Sequence, residues 1–511
     1  MIREPAPVGP HRPRPVQGHR PPVAGNIWRT GLTLAIAFAI LAVGAGYWQV
    51  AEAQRLSTAA DNPGVIAATR RTPRGSIMDR AGRWLAVTRR DANGETYRQY
   101  REASISPVTG YLSRQFGSAG LEKTYDAELR GVTRADPIAD LLKKFDPTPA
   151  EPLDLRISID LALQRKAVGL LGQDRGAVVM MVPSTGEVLV LASRPTYDAS
   201  SIGNPATAVD AFAALRKGEG DPLLPRATLG RYVPGSTFKV VTAIAGLSSG
   251  AISPDTTFEQ QPKAEKDGLV VEGFRIREHG GVPQQSFHLT EATEWSSNIW
   301  YALAGMKTGG DQLATTAGRL GFGEPIPFDL PTAVSQVTNG DGNAPGGFQD
   351  DVELASASFG QGETFVTPLQ MALVASTVAN DGVLMRPRLG LELRGDDSGT
   401  RTLGPEELRR VLSSGDAAAI QEAMQAAVES DVGRQFTSGA KVQGVPTAGK
   451  SGTAELGGTG EPHSWFIGFA PVRDPQIAIA VLVERGGRGG ERAAPIAGEM
   501  MDAYFDLYGR P

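Results

Sequence analysis

The chain has 511 residues, 41% of them hydrophobic, with a formal net charge of −5, five histidines and no cysteine. That length supplies roughly three domains with ordinary cores, and the near-balanced charge offers no basic field for nucleic acid. Without cysteine there are no disulfides, no thiol catalysis and no thiolate metal sites, and the histidines at 11, 19, 279, 288 and 463 lack zinc spacing, so neither metal nor cofactor is expected.

The first residues are rich in Pro, Arg and Gly without apolar periodicity, and 1–29 read as a disordered cytoplasmic tail. Its arginines have no aromatic interleaving around them, which argues against a nucleic-acid partner. From Thr30 to Ala51 no charge occurs, and about 22 residues give roughly 33 Å of helix, enough to cross a bilayer. Trp28 and the Tyr47-Trp48 pair suit the two interfaces, and the preceding arginines predict a cytoplasmic N-terminus with the remainder outside. Ala51-Glu52-Ala53 resembles a signal-peptidase site, but the apolar segment exceeds a signal core of ~7–15 residues, so 30–51 read as an uncleaved plasma-membrane anchor.

A membrane-proximal domain follows over 52–152. Two apolar runs around Asp79-Arg80-Ala81-Gly82 predict a hairpin, and the Pro-rich stretch from Pro147 to Pro152 reads as a linker. Over 153–511 strand and helix signals alternate. Leu155 to Ile159 reads as a strand and Leu161 to Leu171 as a helix. Gly176 to Val182 and Val188 to Ala192 read as a hairpin. Residues 255–290 read as an excursion of loops, and 405–430 as helical. Thr367-Pro368 opens a helix that closes at Asn380-Asp381-Gly382. Trp465 to Phe469 and Ile477 to Glu484 read as terminal strands.

The candidate chemistry starts at Tyr232-Val233-Pro234-Gly235-Ser236-Thr237-Phe238-Lys239, ahead of a buried helical run from Val240 to Leu247. Residues three apart on a helix share a face, about 5–6 Å between Cβ atoms, so Lys239 can reach the Ser236 hydroxyl. A neutral lysine could take the serine's proton and activate it. A second Ser-x-x-Lys, Ser438 to Lys441, has no apolar run behind it and reads as a surface pair.

Two further motifs follow, Ser296-Ser297-Asn298 and Lys450-Ser451-Gly452-Thr453. Ser-x-x-Lys, Ser-x-Asn and Lys-Ser-Gly in this order resemble the motif set of penicillin-binding proteins and class A β-lactamases. Arg74-Gly75-Ser76-Ile77 with Asp79-Arg80-Ala81-Gly82, Gly120-Leu121-Glu122, and Phe359-Gly360-Gln361-Gly362-Glu363 resemble signatures of class B penicillin-binding proteins. The short N-terminal domain and Ser106 to Gly110 look most like the actinobacterial type called penicillin-binding protein A. The Gly-Thr-Ala that many relatives carry is missing around Asp431 to Arg434.

The resemblance implies an α/β (α+β) transpeptidase domain, a central antiparallel sheet between helices. It implies a peptidoglycan D,D-transpeptidase inhibited by β-lactams, cross-linking stem peptides through a Ser236 acyl-enzyme. Lys239 would take the Ser236 proton, Ser296 relay it, and Asn298 orient Lys239 and the substrate amide. Lys450 would supply positive potential. Ser451, Gly452 and Thr453 would bind substrate, with the Ser236 and Thr453 N–H groups as oxyanion hole. A membrane glycan polymerase of the shape or division family is the implied protein partner.

Rival readings remain at this level. A carboxypeptidase or β-lactamase-like hydrolase shares the three motifs, but no Glu-x-x-x-Asn of a class A enzyme follows Asn298. A non-catalytic β-lactam sensor would acylate without cross-linking. Gly444 to Ser451 spells a phosphate-binding loop, although no buried strand precedes it and no helix follows. Lys307-Thr308-Gly309 is a decoy third motif that reads as a helix end.

Overall fold

The computed structural model describes residues 23–47, 73–92, 94–132, 151–457 and 460–511. The expected tail over 1–22, the end of the span over 48–51, the Ala51–Ala53 site and the start of the Pro147–Pro152 linker lie outside them.

The N-terminal unit contains a helix over Val23–Gly46. Within it Ile27–Gly46 is long and apolar enough to cross a membrane, and none of it is buried. The helix begins ahead of the uncharged span, directly after Pro22, so the end of the expected tail (23–29) is helical rather than disordered.

In the second unit a five-stranded antiparallel sheet carries the larger core. Its strands are β1 (Gly176–Met181), β2 (Val188–Arg194), β3 (Ala448–Ala454), β4 (His463–Ala470) and β5 (Ile477–Val483). They run in the order β3-β4-β5-β1-β2, which puts β3 on an edge. β5 is buried along its whole length, so it is apolar on both faces. Ile477, Ile479, Val481 and Val483 pack with helices Leu161–Leu171 and Ala493–Tyr508. Ala478, Ala480 and Leu482 point the other way, into the core shared with helices Lys239–Ser248 and Pro368–Ala379. The period of two thus sorts one strand between two cores. Helix Pro368–Ala379 is buried on all sides and capped by Thr367, which accepts from the Gln370 N–H.

A six-stranded sheet joins the membrane-proximal region to the rest. Ile77–Met78 pairs with Trp84–Arg90 across the expected Asp79–Gly82 turn and, in parallel, with Asp154–Ile157, which pairs in turn with Gly390–Gly395. The first two signatures meet under this sheet. Buried Glu122 accepts from Arg74 Nε at 2.8 Å and Arg98 Nε at 2.7 Å. Burial pushes its carboxyl up, but the charges and hydrogen bonds of Arg98 and Arg74 win and hold it below the usual range. Removing one partner from such a buried cluster is costly, about 3–5 kcal/mol.

Two expectations need correction. The stretch 255–290 is not only loops: it holds a helix, Gln261–Asp267, and a hairpin, Leu269–Val271 with Phe274–Ile276. Both are short: the helix is mostly polar, and the hairpin leaves the apolar Val270 and Phe274 exposed, so neither shows a clear apolar period. Residues 405–430 are not uniformly helical. Glu407–Arg410 is a strand paired with Val383–Met385, and the helix starts at Ser414 behind a Ser413 cap.

Candidate active site

The stretch Pro234 to Lys239 begins as a tight turn of 3-10 helix, Gly235–Phe238, and continues as helix Lys239–Ser248. The Lys239 N–H donates to the Ser236 carbonyl, which fixes the two residues one turn apart. Neighbours hold the turn from three sides. The Trp465 indole donates to the Val233 carbonyl at 2.9 Å. Tyr232 exchanges two backbone hydrogen bonds with Val366, both 2.9 Å. The Gly235 N–H donates to Gly360 O at 3.0 Å. Gly360 has φ +85°, and a Cβ there would lie 1.9 Å from Gly235 O, so only glycine lets the two backbones meet. Ser236 itself is half-buried.

Lys239 is fully buried, yet its Nζ is not left unpaired. It donates to Ser296 O at 2.5 Å, Ser296 Oγ at 3.2 Å and Asn298 Oδ1 at 2.8 Å, and it lies 5.7 Å from the Tyr301 ring centroid. Burial pushes the amine down to about 7, against the opposing pull of Glu278 and Glu265. Desolvation penalises the ammonium more than the two acids support it. A substantial fraction is therefore neutral near pH 7, as a proton acceptor requires. Ser296 holds a left-handed backbone, φ 53°, uncommon for a residue with a Cβ. That turn directs both its carbonyl and its hydroxyl at one amine. Helix Asn298–Thr308 starts immediately after it.

Lys450, Ser451, Gly452 and Thr453 lie on edge strand β3, facing Ile467, Phe466, Trp465 and Ser464 of β4. The Pro234–Thr237 turn packs on this strand: a Cβ on Gly452 would meet Pro234 O at 2.8 Å and the Thr237 methyl at 3.0 Å. Lys450 is buried and donates to Ser451 O at 3.1 Å. Burial, and then the charge on Lys239, push its amine well below the ordinary lysine value. The Thr453 hydroxyl oxygen accepts from the Gly489 N–H at 3.3 Å, leaving its proton free to donate elsewhere. All three sequence motifs are thus brought onto one site.

Comparison with known proteins agrees with this geometry. Residues 176–502 match the model of the penicillin-binding protein transpeptidase domain, and 74–148 that of the penicillin-binding protein A dimerisation domain. The chain belongs to the penicillin-binding proteins. Peptidoglycan D,D-transpeptidase PbpA of Mycolicibacterium smegmatis is 36% identical, over 92% of this chain and 97% of that protein. The protein of the same name from Mycobacterium tuberculosis is 34% identical, over 95% of this chain and 99% of its own length. The ceftriaxone acyl-enzyme structure of penicillin-binding protein A from M. tuberculosis aligns with a TM-score of 0.75 at 31% identity, over 85% of this chain and 99% of that one.

In this penicillin-binding protein the decoys fall away. Gly449, Lys450 and Ser451 lie inside a β-strand, not in a loop opening a helix, so no phosphate cradle forms. Lys307 is exposed near the far end of the helix that Asn298 begins, with Gly309 as its C-cap. Sequence reasoning missed what holds the second motif. Glu278, from the stretch expected to be loops, accepts from Asn298 N–H at 3.0 Å, Ile299 N–H at 2.7 Å and Ser297 Oγ at 2.7 Å. An acidic residue in a polar stretch carries no local sign of such a contact.

Proposed function

We infer that this chain is a membrane-anchored peptidoglycan D,D-transpeptidase that works through a serine acyl-enzyme and is a target of β-lactams. The observation that carries the reading is the buried Lys239 amine, depressed to about 7 and held by Ser296 and Asn298 one turn from Ser236.

In this reading Ser236 Oγ attacks the carbonyl between two D-alanines of a stem peptide, and its proton passes to the neutral Lys239. Ser296, in hydrogen-bond reach of Lys239, relays that proton to the leaving D-alanine nitrogen as the C–N bond breaks. The product is an ester on Ser236 and free D-alanine. The Ser236 and Thr453 N–H groups receive the developing oxyanion. The substrate's terminal carboxylate accepts a hydrogen bond from the Thr453 hydroxyl, and its charge draws Lys450 back to the ammonium form. Ser451 and Gly452 lend backbone groups on the free side of β3, where an extended peptide adds as a further strand. An amine of a neighbouring stem then attacks the ester and frees the Ser236 oxygen, which regains its proton.

The layout in this reading is a cytoplasmic tail over 1–29, an anchor over 30–51, a membrane-proximal domain over 52–152 and an extracytoplasmic transpeptidase domain over 153–511. The arginines ahead of the span support that orientation. A glycan polymerase in the same membrane would supply nascent strands, and its co-purification with the full-length chain tests the pairing. The decisive experiment on function is labelling with a fluorescent penicillin followed by mass spectrometry. The adduct is expected on the Ser236 peptide and absent from Ser236→Ala; an adduct on Ser438 would refute the assignment.

A further inference from the structure

Two acids beside the site have no part in the scheme above. Both come from the stretch between the nucleophile helix and the Ser-x-Asn turn. That stretch grips the turn along its length. His279 Nε2 is 2.8 Å from Trp295 O, and Arg277 O accepts from Asn298 Nδ2 at 3.2 Å. The second contact fixes the Asn298 amide so that its oxygen faces Lys239. Between them Glu278 takes three donors, the N–H groups of Asn298 and Ile299 and the Ser297 hydroxyl. These N–H groups open helix Asn298–Thr308, where a negative charge is favoured. Glu265 stands behind: its Oε1 is 3.1 Å from Ser297 Oγ and accepts from Gln261 Nε2 at 2.9 Å, while its buried Oε2 has no such donor among the described residues.

We propose that Glu278, backed by Glu265, is a positioning residue for acylation: it clamps the Ser-x-Asn turn from behind and sets how readily Lys239 gives up its proton. The role rests on the reading of Ser236 and Lys239 as nucleophile and base. Two carboxyls this close cannot both ionise freely. Burial, and then the Glu278 charge, raise Glu265 to about 7. The titratable groups around Lys239 are Glu278, Glu265 and His279 from this stretch, Tyr301 from the following helix and Lys450 from β3. Among the described charged groups, the two glutamates support its ammonium form. As the pH falls through about 7, Glu265 gains a proton and that support weakens where Lys239 would otherwise be captured as ammonium. The neutral amine thus persists to lower pH than a fixed pair of charges would allow.

The test is the rate of acylation by fluorescent penicillin against pH, on the full-length chain in detergent. Glu278→Gln keeps the shape but turns an NH2 group toward backbone N–H donors. Acylation should slow by about 10²-fold, the cost of roughly an ångström of misplacement at a reacting group. The acid limb of the profile should also move to lower pH, by less than the loss of one full charge would give, because Glu265 ionises more readily once the Glu278 charge is gone. Glu265→Gln should move the limb the same way with little loss at the plateau, and it carries the test if Glu278→Gln does not fold. An unchanged profile in Glu278→Gln, or a uniform loss in both variants with an unmoved limb, overturns the positioning role alone. Labelling retained in Ser236→Ala overturns the underlying reading, and this role with it.

Discussion

Lys239 and Asn298 are joined by a 2.8 Å hydrogen bond from a fully buried amine to a side-chain oxygen, although 59 positions separate them in the chain. The bond links the first motif to the second. Among the described residues it is one of three hydrogen bonds that satisfy Lys239, none of them to a carboxylate. The amine is therefore oriented but not locked in its charged form, which suits a group that must accept a proton.

The acylation rate should rise with pH through about 7. Burial holds the Lys239 amine near that value, so the ammonium below it cannot accept the Ser236 proton and the amine above it can. Rates of penicillin acylation measured around neutrality check this. A limb near the ordinary lysine value of about 10.4 would contradict it.

Lys450→Ala should slow acylation by about 10²–10³, the usual cost of losing one preorganised electrostatic contact. Lys307→Ala should change it little, since Lys307 is exposed near the far end of the helix that begins at Asn298. Stopped-flow acylation of both variants separates the two lysines; the reverse order of effects would move the third motif.

Ser296→Gly should melt above Ser296→Ala. Both lose the hydroxyl that meets Lys239, but only glycine takes φ 53° without strain, worth about 1 kcal/mol. Thermal melts of the two variants check the order, and both should acylate more slowly than the wild type.

Gly360→Ala should damage both the fold and the site. The new Cβ would lie 1.9 Å from Gly235 O at a backbone of φ +85°, so the turn holding Ser236 must shift. Forcing atoms into a close-packed site costs about 1–3 kcal/mol, and the left-handed backbone adds about 1–2. A lower melting temperature with acylation lost in parallel is the expected result; an unaltered variant would show that the Gly235–Gly360 contact is dispensable.

Much of the chain was legible because its signals are local. The β1–β2 hairpin follows from two apolar runs around a turn, and helix Pro368–Ala379 from its Thr-Pro cap. The motif residues Ser236, Lys239, Ser296, Asn298 and Lys450 could be named because each motif is a few adjacent residues with a readable context. Local reading failed where local signals were weak. Helix Gln261–Asp267 and the strand Glu407–Arg410 are short and polar, and their conformation is held by partners elsewhere.

By itself, the sequence determined the strand and helix periods, the apolar span and the order of the three motifs, since these depend only on neighbouring residues. Only the tertiary structure decided which motif residues meet, and what charge they carry when they do. Strand Ile77–Met78 finds Asp154–Ile157, and Glu278 finds the Asn298 N–H, by closing chain loops whose ends no local pattern links. The depressed amines of Lys239 and Lys450 arise from burial against residues far apart in the chain. Desolvation belongs to a packed environment, not to a residue type, so it exists only once the chain has folded.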